Sequence, residues 1–485
     1  MSDATPLRLF NTLGRQAEDF AVPAGQRVGL YSCGPTVYAD PHLGNMRPYV
    51  FSDTLRRVLA WKGYDVTQVV NITDVGHAVG DGDEGEDKVE LGARREGRTV
   101  QEVTAHYTQV YFDAMAALNV LPAHDYPRAS DYVPQMIDFA REIEANGFTY
   151  ALPSGLYFDT SRSPSYGALA LRPAEGALEG ARVAAVEGKR NAADFAVWRT
   201  DPPDSPRIMR WDSPWGPGVP GWHLECSVMS IALLGRHFDI HTGGVDHREI
   251  HHPNEIAQSE AYLSDAKPWV PLWMHNEFLV SNGRKIAKSG GKMPTLAEFA
   301  TTSHPLAFRY FLLTAHYRSQ LDLTDAGLSS ATGAYRRLLA RAAPLRPLPS
   351  VRTFEEGRSK LTGAALESLI ELDAAVSDDL HTPRALAILH GALRSDALND
   401  ADKAVLTGAA DFLLGLSLDE LDAGAVEVTE SAAELPVVEI ERLVAARTAA
   451  RAAKDWAEAD RLRGRLTELG VTVTDTADGP VWQPA

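Results

Sequence analysis

The segment from Arg27 to Ile72 constrains the fold more than any other part of the chain. It begins with an apolar run that is typical of a buried strand and that ends at Cys33 in a Gly-Pro turn. A polar turn and a helical pattern stopped by Gly63 follow, and a second apolar run begins at Val66. This order forms a βαβ unit and predicts a parallel sheet. Because open α/β sheets bind ligands at the carboxyl ends of their strands, the first turn is a candidate ligand site.

Length and composition limit the classes of protein to which the chain can belong. The chain has 485 residues, which is too many for one core, so about two to four domains are expected. Its 45% apolar and 23% charged residues are ordinary for globular domains. We find no apolar run of membrane-spanning length, and the first ten residues lack a basic-then-apolar pattern. These features predict a cytoplasmic protein without a membrane partner.

The formal net charge of -18 argues at first against a nucleic-acid partner. A local basic strip matters more than the average, however. Between Gly333 and Leu361 the basic residues outnumber the two glutamates; they are Arg336, Arg337, Arg341, Arg346, Arg352, Arg358 and Lys360. Such a strip suits a phosphate backbone, and the alternative is a solvated helix face followed by a linker.

Two short polar clusters carry donors that suit a polyphosphate. The first, PHLGN at 41–45, contains His42 and Asn45, and the second, KIAKS at 285–289, contains Lys285 and Lys288. Imidazole, amide and ammonium groups can surround a triphosphate and stabilise its charge as pyrophosphate departs. The alternative is an exposed basic turn and an unrelated loop histidine.

A metal site is a further hypothesis. His251 and Glu255 are spaced i,i+4, and Pro253 fits the first turn of a helix, so both side chains would lie on one face. Imidazole and carboxylate together make half a zinc site, and the only two cysteines, Cys33 and Cys226, could supply the other half. Spacing alone does not establish this set, and each cysteine could instead be a small buried apolar residue.

The remaining patterns predict the organisation of the chain. The six acidic residues in 81–90 favour a solvated loop, because they lack a calcium-loop pattern. Around 127–198 the hydrophobic pattern is mixed and often interrupted, which is typical of an insertion. The strand-like pattern of the sheet returns near His237. Beyond about Leu306 the chain is mostly helical, and we expect one long amphipathic helix from Val438 to Leu469 before a short β-like tail.

Eight further segments are similar to motifs of cysteinyl-tRNA synthetases, in that family's order. They are YSCGPTVY (31–38), NITDV (71–75), GWHLECS (221–227), DIHTGG (239–244), NEIAQS (254–259), FRYFL (308–312), DLHTP (379–383) and KDWAEAD (454–460). The two polar clusters resemble the ATP-binding signatures HIGH and KMSKS of class I aminoacyl-tRNA synthetases. The similarity covers essentially the whole chain.

The resemblance implies an α/β fold with a Rossmann-like parallel-sheet catalytic domain that carries an inserted subdomain. A helical tRNA-binding bundle and a small C-terminal α+β region would follow. The implied domains are the first catalytic half (1–126), the connective insertion (127–205), the second catalytic half with the second ATP signature (206–305), the helical junction and anticodon-binding bundle (306–430), and the C-terminal domain (431–485).

The same resemblance implies ATP-dependent activation of L-cysteine and its transfer to tRNA(Cys), and we expect the chain to be a monomer. One Zn²⁺ per chain would select the substrate thiol, since zinc binds thiolate strongly and alcohol weakly. ATP would be used with Mg²⁺. The implied zinc ligands are Cys33, Cys226, His251 and Glu255. The implied substrate pocket contains Gly34, Thr73, Trp222, His241 and Asp246, and the catalytic ATP-binding residues are His42, Asn45, Lys285 and Lys288.

Departures from the family pattern leave two alternatives. Asn45 stands where the family usually has histidine, and KIAKS keeps both lysines but loses the methionine and first serine of its signature. One alternative is a ligase that joins activated cysteine to a small amine, but such ligases lack most of the C-terminal region that this chain has. The other is a non-catalytic zinc and RNA-binding paralogue, against which His42, Lys285 and Lys288 argue.

Overall fold

A computed structural model describes most of the chain. The described residues are 4–23, 25–75, 86–170, 187–201, 207–265, 268–281, 284–285, 293–426, 437–452, 455–468, 471–476 and 479–484. The chain divides into two compact units, one of Met1–Ala297 with Pro305–Val426 and one of Glu298–His304 with Glu427–Ala485. Within the described part, no helix combines the length and the apolar character needed to cross a membrane.

Short strands occur throughout the described chain. They are β1 (Arg8–Asn11), β2 (Gln16–Asp19), β3 (Val28–Ser32), β4 (Val66–Val70), β5 (Thr149–Leu152), β6 (Gly155–Phe158), β7 (Phe195–Thr200), β8 (Gly218–Pro220), β9 (Ile240–Gly244), β10 (Leu272–Asn276), β11 (Leu279–Ser281), β12 (Arg284–Lys285), β13 (Leu321–Asp322), β14 (Val471–Thr476) and β15 (Gly479–Pro484). β1 and β2 form an antiparallel hairpin, and so do β14 and β15.

The described helices are more frequent in the second half of the chain than in the first. They are α1 (Leu43–Trp61), α2 (Lys88–Glu96), α3 (Val100–Ala117), α4 (Val133–Ala145), α5 (Trp222–Leu234), α6 (His251–Leu263), α7 (Leu296–Ala300), α8 (Pro305–Leu313), α9 (Asp325–Ala342), α10 (Phe354–Arg358), α11 (Gly363–Ser377), α12 (Thr382–Arg394), α13 (Asp400–Leu414), α14 (Val437–Ala452) and α15 (Trp456–Glu468). The predicted helical character beyond Leu306 is confirmed.

The central sheet is parallel and has the strand order β10-β9-β3-β4. Every residue of β3, β9 and β10 is buried, as is typical of strands in a parallel sheet that is covered on both faces. α1 connects β3 to β4 and ends at Trp61; Lys62 caps it, and Gly63 follows with a φ of 85°. The predicted βαβ unit and the α/β fold class are therefore confirmed.

Besides the β1–β2 hairpin, a four-stranded and a three-stranded sheet accompany the parallel sheet among the described residues of the first unit. The antiparallel sheet β5-β6-β7-β8 takes its first three strands from the stretch predicted as an insertion, and β8 from beyond it. The sheet β12-β11-β13 is formed by a hairpin and a parallel strand. That hairpin ends at Lys285, which pairs with Val280, so it carries the start of the second polar cluster.

The second unit contains α14, α15 and the β14–β15 hairpin. The prediction of one helix from Val438 to Leu469 is wrong, because α14 ends at Ala452 and α15 begins at Trp456. Asp455 lies just before α15, and its carboxylate accepts a hydrogen bond from the backbone N–H of Glu458 at 3.1 Å. An aspartate in this position caps a new helix and so competes with continuation of the old one. The predicted β-like tail is confirmed.

Candidate active site

Polar side chains converge at the carboxyl edge of the parallel sheet. Cys33 and Gly34 follow β3, Thr73 follows β4, and His241 lies in β9. The turns after β3 and β4 are joined by backbone hydrogen bonds, from Thr73 to the carbonyl of Pro35 at 3.0 Å and from Val37 to the carbonyl of Thr73 at 3.1 Å. Because parallel strands end at the same edge, residues distant in sequence meet here.

The four implied metal ligands are adjacent in space. One donor atom from each of Cys33, Cys226, His251 and Glu255 lies within 4.8 Å of the donor atoms of the others. All four side chains are buried, and the most exposed residue, Cys33, shows only 8% of its surface. α5 supplies Cys226, while α6 begins at His251 and presents Glu255 one turn later on the same face. The i,i+4 prediction is confirmed by a distance of 2.9 Å between His251 Nε2 and Glu255 Oε1.

A second group of donors overlaps the first. Cys33 and Glu255 also lie together with His241 and His252, again with donor atoms within 4.8 Å of one another. His241 Nε2 is 2.9 Å from Glu255 Oε2, and His252 Nε2 is 3.3 Å from Cys33 Sγ. His252 Nδ1 lies 2.7 Å from Nε2 of His275. Both nitrogens of His252 therefore already have protein partners.

The cluster carries negative charge that a cation could neutralise. Burial alone would raise the pKa of Glu255, but His241 and His251 outweigh it and lower the pKa to about 2. A hydrogen bond with Cys33 outweighs burial at Cys226 and lowers that thiol's pKa to about 6. Burial, followed by the neighbouring Cys226, raises the pKa of Cys33 well above its ordinary value. The lowered pKa values favour the thiolate and carboxylate forms in this buried site. Burial alone would lower the pKa of His251, but Glu255 outweighs it and raises that pKa to about 10.

The positions of the His251 and Glu255 side chains would allow both to bind one metal ion. Glu255 Oε1 lies 2.9 Å from His251 Nε2, yet within the described residues this buried oxygen has no partner of hydrogen-bond geometry. The other ring nitrogen of His251, Nδ1, lies 2.8 Å from Nδ1 of His223. Such a contact orients a ligating imidazole from behind. Two sulfurs, one imidazole and one carboxylate form a donor set of the type that holds zinc.

The structure brings most of the implied substrate-pocket residues next to this cluster. The backbone N–H of Gly34 donates to Asn71 Oδ1 at 2.8 Å, and a Cβ at Gly34 would lie 1.6 Å from the carbonyl oxygen of Asn71, so only glycine fits. The hydroxyl of Thr73 donates to Glu225 Oε2 at 2.9 Å. The ring centroid of Trp222 is 4.1 Å from that of His251.

The remaining members of the predicted pocket are His241 and Asp246. His241 is fully buried and contacts Glu255. Asp246 follows β9 and is exposed, so it lies at the rim of this edge and not in the buried cluster. The sequence prediction of these two residues as substrate contacts stays a prediction.

The first polar cluster forms the N-terminus of α1. His42 is the N-cap residue, and its backbone N–H donates to Asn45 Oδ1 at 3.0 Å. This bond occupies the amide oxygen of Asn45, so its Nδ2 group is the part that can donate to a ligand. Both side chains are exposed at a helix N-terminus, a position that favours anions. Lys285 ends β12, while Lys288 and residues 81–85 of the acidic loop lie outside the described residues.

Sequence reasoning missed a layer of polar residues that support the cluster. Asn71 accepts from Gly34 and donates to the hydroxyl of Thr73 at 3.1 Å, Glu225 accepts from Thr73, and His252 approaches Cys33. Asn71 directly follows the apolar run of β4, and this position at a strand's carboxyl end was a usable signal. Glu225 and His252 are each adjacent in sequence to an implied ligand, but their side-chain directions depend on tertiary packing.

Comparison with known families defines the class of the protein. A family model described as the class I (C) tRNA synthetase catalytic domain matches residues 20–333. A model described as the cysteinyl-tRNA ligase anticodon binding domain matches residues 437–482. The Mycobacterium tuberculosis methionyl-tRNA synthetase in complex with methionyl-adenylate shares the fold, with a TM-score of 0.52 and 15% identity over 81% of this chain and 90% of that chain. The chain thus carries the catalytic domain of a class I aminoacyl-tRNA synthetase.

Curated relatives identify the family within this class. A Novosphingobium aromaticivorans protein named "Cysteine--tRNA ligase" is 48% identical, with 97% of this chain and 96% of the relative covered. A Thermus thermophilus protein of the same name is 41% identical, with 98% and 99% covered. The chain belongs to the cysteine--tRNA ligase family.

Proposed function

We propose that the protein activates L-cysteine with ATP and transfers the cysteinyl group to tRNA(Cys). The observation that carries this proposal is the buried thiol, imidazole and carboxylate cluster at the carboxyl edge of the parallel sheet. The relatives that share nearly the full length of the chain are named for this reaction. The same sheet is connected to the helix whose N-terminus holds His42 and Asn45.

One zinc ion per chain would be held by the donors Cys33, Cys226, His251 and Glu255. This set is favoured over the overlapping set with His241 and His252 because it contains both sulfurs. It also leaves Nε2 of His251 to the metal, while Nδ1 faces His223. When bound, the zinc supplies a site that prefers a substrate thiolate to an alcohol.

The protein's own residues would then orient the amino acid. Gly34 lets the chain pass directly against Asn71, and Trp222 packs beside His251 as a wall of the pocket. Thr73 is held by Asn71 and Glu225, so its hydroxyl has a fixed direction. Rejection of serine by such a site can reach roughly 10⁴–10⁵ without an editing step.

Adenylate formation needs positioning and charge stabilisation more than covalent help from the protein. The substrate carboxylate attacks the α-phosphate of ATP, the bond to the β-phosphate breaks, and pyrophosphate leaves. His42, Asn45, Lys285 and Lys288 would donate to the phosphates, and Mg²⁺ would accompany ATP. A hydroxyl of the terminal tRNA ribose would then attack the cysteinyl carbonyl, the bond to the phosphate would break, and AMP would leave.

Cysteine-dependent exchange of pyrophosphate into ATP, followed by transfer to tRNA(Cys), tests the proposal. We expect both reactions with cysteine and no detectable exchange with serine at equal concentration. Exchange without transfer to tRNA would instead support the ligase that acts on a small amine. Absence of exchange in a protein that contains zinc would support the non-catalytic paralogue.

The basic strip gives a separate prediction. Three of its members, Arg336, Arg337 and Arg341, are exposed on α9. The Arg346 guanidinium instead donates hydrogen bonds to the carbonyl of Leu418 and to the carboxylate of Asp422. Reversing the charge of the three exposed arginines to glutamate should impair tRNA charging more than pyrophosphate exchange. The deficit relative to wild type should be largest at low salt and narrow as salt rises, because the loss of phosphate contacts makes tRNA binding less dependent on salt.

A matched control changes the same charge elsewhere. Arg94, Arg95 and Arg98 lie at and beyond the end of α2, and each already faces a glutamate. Their reversal should leave the ratio of charging to exchange unchanged. Equal loss of charging and exchange in the α9 variant would contradict a role of the strip in tRNA binding.

The domain bounds given above, a monomeric state and a cytoplasmic location are part of the same proposal. Light scattering after size-exclusion chromatography would test the monomer, because a dimer of this chain would have twice its mass of 52.7 kDa.

A further inference from the structure

Residues on both sides of the second ATP signature contact the first turns of α1. His42 and Asn45 lie at the N-terminus of that helix, and the second segment begins with the β11–β12 hairpin that ends at Lys285. Their donors can act on one triphosphate only if the helix and the hairpin keep a fixed distance. The contacts that join them therefore bear on ATP binding.

The exit of the second segment is attached to α1 mostly through the backbone. The N–H of Leu43 donates to the carbonyl of Pro294 at 2.9 Å, and His42 forms an isolated antiparallel bridge with Thr295. The N–H of Gly44 lies 2.9 Å from the sulfur of Met293. In the sequence, this attachment follows the KIAKS segment, whereas the hairpin leads into it.

The entry of the second segment is attached through one side chain. Arg47 follows Asn45 by two positions on α1 and is 3% exposed. Its Nη1 donates to the carbonyl of Phe278, directly before β11, and its Nη2 donates to the carbonyls of Ser319 and His316, the latter at 3.3 Å.

These carbonyls lie just ahead of two neighbouring strands of the small sheet, since Phe278 directly precedes β11 and Ser319 lies two residues before β13. The N–H of Leu321 in β13 also donates to the carbonyl of Phe278, at 3.3 Å, so the same oxygen is shared by the strand pair and by Arg47. The guanidinium thus holds the starts of β11 and β13 together and attaches both to α1. A planar fork with several fixed donors suits this task, and a lysine ammonium lacks that geometry.

We propose that Arg47 is a positioning residue that sets the placement of the β11–β12 hairpin, which ends at Lys285, relative to the first ATP signature. The inference rests on the proposed function, because it concerns the ATP site of the cysteine-activating reaction. Arg47 does not contact the cysteine cluster, so its loss should affect the use of ATP and spare the binding of cysteine.

The test compares Arg47→Met, Arg47→Lys and the control Arg57→Met in the full-length chain. Arg57 is also a buried arginine of α1, but it donates to Asp53 and to the carbonyls of Phe412 and Asn119, away from the hairpin. The measurements are kcat and KM for ATP in cysteine-dependent pyrophosphate exchange, cysteine affinity by calorimetry, and the melting temperature.

Arg47→Met should lower kcat/KM for ATP by about 100-fold, as expected when reacting groups are displaced by about 1 Å. Cysteine affinity should stay unchanged, Arg47→Lys should be intermediate, and Arg57→Met should keep the wild-type kcat/KM for ATP. If the melting curve shows that Arg47→Met does not fold, Arg47→Lys is compared with wild type and Arg57→Met instead. Parallel losses in ATP use and cysteine affinity, or equal effects of Arg47→Met and Arg57→Met, would overturn the inference. A wild-type protein without cysteine-dependent exchange would overturn the proposed function itself.

Discussion

Cys226→Ser should remove the bound metal and the preference for cysteine over serine together. The substitution keeps the size of the side chain but replaces a sulfur whose pKa is lowered to about 6 with an alcohol that does not ionise near neutral pH. Alcohols are poor zinc ligands, so the remaining three donors should hold the ion weakly. The wild-type preference for cysteine, expected at roughly 10⁴–10⁵, should collapse.

Metal content by atomic absorption and exchange rates with cysteine and with serine measure this outcome. Ser230→Ala is the matched control, because Ser230 lies one turn further along α5, is fully buried, and donates only to the carbonyl of Ser227. It should retain both metal and cysteine activation. The double variant Cys33→Ser/Cys226→Ser should be no worse than either single change, since ligands that act as a unit are not additive. Normal cysteine activation in metal-free protein would disprove the zinc hypothesis.

The parts of the fold that the sequence predicted are those set by local patterns. The β3-α1-β4 unit follows from two apolar runs, a helical spacing and the stop at Gly63, and each of these signals lies within a few residues of the structure it predicts. The pairing of His251 with Glu255 is equally local, because one helical turn joins them.

The approach of Cys33 to Cys226 could not be derived in this way. Nearly two hundred positions separate them in the sequence, and they meet only because the turn after β3 and the N-terminal part of α5 reach the same edge of the sheet. The resemblance to a known family supplied that pairing. Asn71 and Arg47 illustrate the same limit, since their partners are backbone groups that only the tertiary structure brings near.

The wrong prediction for the C-terminal unit has a different cause. Charged and apolar residues keep a helical period from 438 to 469, and the pattern does not register an interruption. The interruption arises from Asp455, whose short carboxylate can bond the backbone of Glu458. A cap of this kind depends on a single hydrogen bond. A hydrophobic period averaged over many residues does not detect it.

Asp53→Asn should cause the largest loss of stability among the changes considered. Asp53 is 1% exposed and accepts hydrogen bonds from Arg57 Nε at 2.8 Å, from Arg309 Nη2, and from the backbone N–H of Leu121 at 2.8 Å. Removing its charge leaves two buried guanidinium groups without their carboxylate. Breaking a buried pair in this way costs about 3–5 kcal/mol.

Urea unfolding of the full chain measures the loss, and Asp65→Asn is the control. Asp65 pairs with Arg27 at 2.9 Å, but both side chains are more than half exposed, so its substitution should cost at most about 1 kcal/mol. A loss at Asp53 no larger than that at Asp65 would contradict the argument.

The pH dependence gives a second check on the same residue. Burial alone would raise the pKa of Asp53, but Arg57 and Arg309 outweigh it and lower the pKa below its ordinary value. The stabilisation from this carboxylate is therefore fully present above the ordinary aspartate pKa and is lost as the pH falls through the folded-state value. The difference in unfolding free energy between wild type and Asp53→Asn should narrow over that acidic range. Because Arg309 also donates to the carbonyls of Leu118 and Leu414, this one carboxylate links α1 to the helical region that follows.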